Sequence, residues 1–163
     1  MKTLYWALIA GLAILMAFCS AHSYAAPTFT GQVVGVHDGD TLTVVSEGAE
    51  FKIRLAEIDA PEKKQAFGER AKQSLSDLCY RVRATVSPQT IDRYGRTVAR
   101  VRCGGADASL HQVETGMAWA YLKYSTDPAI AAAEALARAD GRGLWTDANP
   151  TPPWLWRKKS RAM

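Results

Sequence analysis

Three β-type runs between residues 30 and 58 constrain the fold more than any other part of the chain. The first is rich in valine and ends at a polar turn, His37-Asp38-Gly39-Asp40. The second, Thr41 to Val45, leads into a polar segment whose Gly48 can adopt the positive φ that a hairpin loop requires. The third, Phe51 to Ile58, alternates apolar and polar residues and places Arg54 on the face away from the core. These runs predict three consecutive strands joined by tight turns.

Two more strands are predicted over residues 82–86 and 97–101. A polar link through Pro88 follows the first of them, and a tight turn over residues 92–96 precedes the second. A helix over residues 68–80 lies before this pair. Its apolar residues recur at helical spacing and form one face: Ala71, Leu75, Leu78 and Cys79.

Capping residues indicate two further helices after the fifth strand. Ser109 and Gln112 form a plausible capping box for a short helix that ends at Gly116. Asp127 is the predicted N-cap of the next helix, which an alanine-rich sequence continues as far as Gly141. Five strands with helices in this order do not form a βαβ pattern. They predict an α+β fold, a small antiparallel five-stranded OB-type β-barrel with three packed α-helices.

The first 25 residues have the features of a secretory signal peptide. An apolar run from Leu4 to Phe18 follows Lys2, and small residues before Ala25 favour cleavage at that point. A membrane anchor is the alternative, but the run is shorter than the ~20 residues that a spanning helix needs. We therefore expect residues 26–163 to form a single exported domain, periplasmic or secreted, monomeric, and without membrane contact after cleavage.

Charge and cysteine content bound the environment of this domain. The whole chain carries a formal charge of +4, and removal of Lys2 leaves 19 basic against 16 acidic residues. This excess is compatible with a polyanionic partner but does not establish one. Because an exported chain meets oxidising conditions, Cys79 and Cys103 are predicted to form a disulfide. Two separately buried thiols are the alternative.

Acidic residues near the second and third strands could bind a metal ion. Ca²⁺ prefers oxygen ligands, and Asp40 and Asp59 could supply two carboxylates, with a backbone carbonyl, water and phosphate oxygens as the others. His37 and His111 show no ligand spacing, which argues against a zinc-type site.

A phosphate is the second ligand that the composition of this stretch suggests. Planar guanidinium groups bind phosphate oxygens bidentately, so Arg54 and Arg96 could stabilise the transition state of phosphodiester hydrolysis. Glu62 could activate the attacking water. Taken singly, Arg54 and Glu62 are more often solvated surface charges than site residues.

Three segments in a fixed order carry a family resemblance: 38–41, 53–62 and 92–96, followed by a Gly-Leu-Trp at 143–145. Together they resemble the staphylococcal nuclease (thermonuclease) family over roughly residues 31–145. The resemblance implies that Asp40, Asp59 and the Ala60 carbonyl bind Ca²⁺, although many family members have threonine at the position of Ala60. It also implies roles for further residues: catalysis for Arg54, Glu62 and Arg96, contact with a neighbouring phosphate for Arg93 and Tyr94, and base binding for Tyr124 and the nearby Tyr121.

The resemblance thus implies a Ca²⁺-dependent endonuclease that hydrolyses DNA and RNA, prefers single strands and leaves 3′-phosphorylated products. A non-catalytic nucleic-acid-binding OB-fold module is the main alternative, and either tyrosine could be a packing residue. The Trp154-Leu155-Trp156 tail with its basic end could contact nucleic acid. Prolines beside aromatic residues favour its packing onto the core instead.

Overall fold

A computed structural model describes residues 27–123, 125 and 127–162. The predicted signal peptide, Tyr124 and Met163 lie outside the described residues. Within these ranges the strands and helices follow one another along the chain in this order: β1 Phe29–Val36, β2 Thr41–Ser46, β3 Ala49–Leu55, β4 Ile58–Asp59, α1 Gly68–Cys79, β5 Arg83–Ile91, β6 Thr97–Cys103, β7 Ala106–Asp107, α2 Ala108–Glu114, β8 Trp119–Ala120, α3 Pro128–Ala139, a 3₁₀ turn Gly143–Thr146 and α4 Pro153–Ser160.

The five longer strands close into a barrel, which confirms the predicted fold class. Strands β1, β2 and β3 pair antiparallel in sequence, β5 pairs antiparallel with β1, and β6 with β5. The barrel closes through a parallel pairing of β3 with β6, in which Arg54 lies opposite Val98. The prediction of a purely antiparallel barrel is therefore wrong at this pair. These two strands are the ends of the antiparallel order β3-β2-β1-β5-β6. Because direction alternates from strand to strand, the first and the fifth run the same way, and closure between them must be parallel.

Two predicted strands have different ends. The third stops at Leu55, because Glu57 adopts a φ of 69° and turns the chain, and residues 58–59 pair instead with β8. Glu57 is buried and forms an ion pair with Arg100, which also binds the α3 cap residue Asp127. The fourth predicted strand continues past Pro88 to the hairpin turn. Proline has no amide hydrogen to donate, and the pairing of β5 with β6 continues past it through a register shift between Pro88 and Thr90.

Helices α1 and α3 occupy the predicted positions, and Asp127 caps α3 through a hydrogen bond from the Ala129 amide. The second helix is also present, but the predicted capping box is wrong. Asp107 is its N-cap, while the hydroxyl of Ser109 donates to the Ala56 carbonyl and the Gln112 amide lies in the core. Both predicted capping residues thus serve tertiary contacts.

The C-terminal tail forms a fourth helix, α4, where the sequence predicts only three helices in all. Pro153 begins it, and Trp154 contacts Trp119 edge-to-face and stacks on Tyr121, with ring centroids 5.6 and 5.7 Å away respectively. This packing agrees with the expectation that the tail is tied onto the core. None of the helices within the described ranges is both long and apolar enough to cross a membrane.

The predicted disulfide is confirmed. Cys79 at the end of α1 and Cys103 at the end of β6 have their sulfurs bonded and their Cα atoms 5.3 Å apart. Both residues are buried in the hydrophobic core. The bridge therefore fixes the end of α1 against the barrel wall.

Candidate active site

One cavity of about 400 Å³ opens beside the barrel, where β3, the β4 loop, the β5–β6 turn and α4 meet. Charged side chains dominate its lining. The four acidic residues are Asp38, Asp40, Asp59 and Glu62, and the six basic residues are Lys52, Arg54, Arg93, Arg96, Arg157 and Arg161.

The turn before β2 is held rigidly at the edge of this cavity. The Asp40 amide donates to the Asp38 carboxylate at 3.1 Å, and the buried Gln112 side chain donates to the Gly39 carbonyl at 2.7 Å. The Asp40 carboxylate accepts hydrogen bonds from the Thr41 hydroxyl at 2.9 Å and the Ala60 amide at 3.0 Å. Asp40 thereby joins the turn to the loop that carries the other predicted cation ligands.

Arg54 connects the two predicted metal carboxylates. Its Nη2 lies 3.1 Å from Oδ1 of Asp59 and 3.5 Å from Oδ2 of Asp40, and its Nη1 donates to the Leu55 carbonyl. Burial alone would lower the pKa of Arg54, but the charges of Asp40 and Asp59 outweigh it and raise that pKa. Arg54 is therefore a fixed positive charge at the centre of the site.

Burial disfavours the charged forms of two acids here. It raises the pKa of Asp38 to about 6, with the neighbouring Asp40 charge acting in the same direction. Burial also raises the pKa of Asp59, against the lowering effect of hydrogen bonding from Arg157. Acids with raised pKa values in one cavity gain from a nearby cation, which would favour their ionised forms.

The donor set fits a hard divalent cation at an open site. Asp40 and Asp59 converge on the same nitrogen of Arg54, so their carboxylates lie close to each other. The described residues contain no group of three or more histidine, cysteine or acidic side chains placed to hold a metal. A divalent cation bound here would need backbone carbonyl, water or phosphate oxygens as its remaining ligands.

The β5–β6 turn brings Arg96 into the lining of the cavity. Asp92 accepts from Nε of Arg96 at 2.8 Å, and from the backbone amides of Tyr94 and Arg96. Burial alone would raise the pKa of Asp92, but these hydrogen bonds lower it. Nη1 of Arg96 lies 3.4 Å from the Thr41 hydroxyl, next to Asp40. Asp92 is not among the predicted site residues, although its i, i+4 spacing to Arg96 is visible in the sequence.

The other predicted phosphate contacts lie at the tip of the same turn. Tyr94 is 63% exposed, and the guanidinium groups of Arg93 and Arg96 lie 4.9 and 5.5 Å from its ring centroid. All three residues line the cavity. The turn therefore places two guanidinium groups beside an exposed aromatic ring at the cavity.

Glu62 lies at the rim of the cavity, with a side chain that is 41% exposed. Its amide donates to the Gln65 side chain at 3.2 Å, which fixes the backbone after Pro61. Its carboxylate accepts from Nη1 of Arg157 at 2.8 Å. The predicted general base is thus accessible, and an arginine from the C-terminal helix holds it.

Arg157 is a second residue that sequence reasoning missed. It forms a bidentate pair with Asp59, at 2.7 Å through Nη2 and 3.1 Å through Nη1, in addition to its bond with Glu62. The hydrogen bonds that Arg157 donates to Asp59 are the main cause that raises the pKa of Arg157. The only signal in the sequence is the basic end of a tail whose aromatic residues favour packing.

Tyr121, one of the two predicted base-binding tyrosines, packs against the C-terminal helix. The Tyr121 amide donates to the Glu57 carbonyl, and its ring stacks on Trp154 at an interplanar angle of 11°. Tyr121 is not among the residues that line the cavity. Tyr124 lies outside the described residues.

The chain is similar in sequence to a family of known proteins. The family model described as "Staphylococcal nuclease homologue" matches residues 52–147. A Haemophilus influenzae protein named "Uncharacterized endonuclease" is 47% identical over 133 residues, which cover 81% of this chain and 75% of that protein. "Micrococcal nuclease" of Shigella flexneri is 40% identical, with 99% and 98% of the two chains covered. The Arabidopsis thaliana protein named "Staphylococcal-like nuclease CAN1" is 38% identical over 68% of this chain but only 34% of its own length. Because the family model matches more than half of the chain, and the bacterial relatives align over most of both lengths, this chain belongs to the staphylococcal nuclease homologue family.

Proposed function

We propose that this chain is a cation-dependent endonuclease that hydrolyses phosphodiester bonds in DNA and RNA. One observation carries the proposal. Arg54, Glu62 and Arg96, from three separate segments, open into the same cavity as the carboxylates Asp40 and Asp59. Phosphodiester hydrolysis needs a base for water and fixed positive charge around the phosphate, and this cavity contains both. The names of the bacterial relatives support the same class of reaction.

In this proposal Asp40, Asp59 and the Ala60 main-chain oxygen hold Ca²⁺, which supplies Lewis-acid polarisation of the phosphate when bound. Glu62 accepts a proton from water, and the water oxygen forms a bond to phosphorus. The bond from phosphorus to the 5′-oxygen breaks, and that oxygen leaves as a hydroxyl after taking up a proton from solvent. The phosphate stays on the 3′-oxygen of the other product.

The arginines stabilise the negative charge that develops on the phosphate. Arg54 is held by Asp59 and the Leu55 carbonyl, and Arg96 by Asp92, so neither must be oriented when substrate arrives. Arg93 and the exposed ring of Tyr94 extend the binding surface to a neighbouring phosphate and an unpaired base. Tyr121 and Tyr124 are proposed as further base contacts, which favours single-stranded substrate.

Export remains part of the proposal. A signal peptide over residues 1–25 would direct residues 26–163 to the periplasm or the medium, where the chain would act as a monomer without membrane contact. The Cys79–Cys103 bridge supports this location, because disulfides persist in oxidising compartments. A signal-cleaved N-terminus in the protein recovered from an expressing host would test it by mass spectrometry.

The test of the activity is digestion of single-stranded DNA, duplex DNA and RNA by the purified protein with CaCl₂, with MgCl₂ and with chelator. We expect CaCl₂-dependent cleavage, fastest on single strands, with 3′-phosphate ends detected by mass spectrometry of the products. Binding of DNA without cleavage under all conditions would instead support a non-catalytic binding module.

A further inference from the structure

The C-terminal helix places an arginine on the carboxylate that is proposed to bind the cation. Both oxygens of Asp59 accept from guanidinium groups: Oδ2 from Arg157 at 2.7 Å, and Oδ1 from Arg157 and Arg54 at 3.1 Å each. An ionised carboxylate has about four acceptor positions, and three of those on Asp59 are therefore in use. The Asp59 side chain is also only 1% exposed. A cation cannot gain full access to this carboxylate while both arginines remain.

Arg157 is the arginine that can leave. Arg54 lies within strand β3, is only 16% exposed and also donates to the Leu55 carbonyl. Arg157 is 33% exposed and projects from the short helix α4. Trp154, one helical turn earlier, fixes α4 against Trp119 and Tyr121, so the Arg157 side chain can move without release of the helix.

The same guanidinium also holds the proposed base. Nη1 of Arg157 lies 2.8 Å from Oε1 of Glu62 and 3.1 Å from Oδ1 of Asp59. Departure of this one side chain would expose the cation ligand and release the Glu62 carboxylate for a water molecule. The two events are therefore mechanically linked through a single residue.

We propose that Arg157 is an internal counter-ion that competes with the divalent cation for Asp59, so that cation binding displaces it and frees Glu62. This inference rests on the proposed cation site. It makes the Arg157 side chain a latch that neutralises the acidic residues of the metal-free site, while α4 itself stays in place. Loss of the latch should strengthen cation binding, because the competing contact is removed.

Calorimetric titration with CaCl₂, in the absence of nucleic acid, tests the competition. Arg157→Gln should bind Ca²⁺ about three- to tenfold more tightly than wild type, the range expected when one bidentate, partly exposed ion pair is removed. Arg157→Lys, which keeps the charge but not the fork geometry, should lie between them. Arg161→Gln is the matched control, because Arg161 lines the same cavity yet forms no ion pair with any described residue. It should change the affinity by less than about twofold, as expected for an exposed charge.

Equal changes in Ca²⁺ affinity in Arg157→Gln and Arg161→Gln, or weaker Ca²⁺ binding in Arg157→Gln, would refute the competition by Arg157 but not the cation site itself. If neither wild type nor Arg157→Gln binds Ca²⁺, the cation site fails and the latch with it. A second readout does not depend on comparing Ca²⁺ affinities between variants. The guanidinium NMR signal of Arg157, assigned by its loss in Arg157→Gln, should shift during the wild-type titration with the same midpoint. A signal that does not respond to bound Ca²⁺ would also overturn the proposal.

Discussion

Gly39, between two acids of the candidate site, is a position where a single methyl group should matter. A Cβ at this residue would lie 2.6 Å from the Cβ of Ala71 on α1 and 2.7 Å from the Cβ of Ala60, which directly follows β4. Real Cβ atoms do not approach this closely, and neither neighbour is a flexible side chain that could swing away. Gly39→Ala must therefore separate the turn from the helix or from the loop.

The added methyl group overpacks a close contact, so Gly39→Ala should lower the free energy of unfolding by about 1–3 kcal/mol, as is typical of such changes. The same displacement strains the 3.0 Å bond from the Ala60 amide to Asp40, so Ca²⁺ binding should weaken as well. Gly35→Ala is the matched control, because its Cβ would meet only the Cβ of Thr43 at 3.9 Å. Its stability should stay within about 0.5 kcal/mol of wild type.

Urea unfolding followed by tryptophan fluorescence measures both variants, and calorimetry with CaCl₂ measures the cation affinity of each. The reasoning predicts a clear gap between the two alanine variants in both experiments. Gly39→Ala as stable as Gly35→Ala, with unchanged Ca²⁺ affinity, would refute the claim that this close contact sets the position of the acids.

Two further predictions concern stability. Replacement of Cys79 and Cys103 by alanine removes a cross-link between residues with a sequence separation of 24. The free energy of unfolding should fall by about 3 kcal/mol, as the chain-entropy model gives for a loop of this length. A fall of less than about 1 kcal/mol in urea unfolding would contradict this. Asp38→Asn should stabilise the metal-free protein at pH 7. The pKa of Asp38 is about 6 in the folded protein, above the ordinary aspartate value of 3.8. Ionisation of this carboxyl therefore lowers the stability of the folded protein as the pH rises through this window. Thermal melts in chelator should show that the advantage shrinks as the pH falls from 7 to 4, and a constant advantage would count against the raised pKa.

Local sequence signals predicted most of the scaffold. The turn before β2, the hairpin at Gly48 and the Asp127 cap of α3 all depend on residues within a few positions of one another. The acids and arginines of the cavity could be named because the family resemblance attaches them to short segments. These are the parts of the fold in which neighbouring residues decide the conformation.

The features that the sequence did not predict depend on distant partners. The sequence predicts that Ser109 caps α2, but its hydroxyl is used by the Ala56 carbonyl, 53 residues away. Arg157 reaches Asp59 across 98 residues, from a helix of only 8 residues. The parallel pairing of β3 with β6 likewise arises only when the five strands close into a barrel, which joins residues far apart in the sequence, such as Arg54 and Val98. No periodicity within a segment carries such information.

The most direct test of the central claim is the single-turnover rate at which Glu62→Gln cleaves labelled single-stranded DNA at saturating CaCl₂. Glu62 is assigned the proton transfer from water, so the rate should fall by about 10²–10⁴-fold while DNA binding is retained. Glu50→Gln, an exposed residue of β3 outside the cavity lining, should cleave at the wild-type rate. Cleavage by Glu62→Gln at the wild-type rate would contradict the account and remove this glutamate from the mechanism.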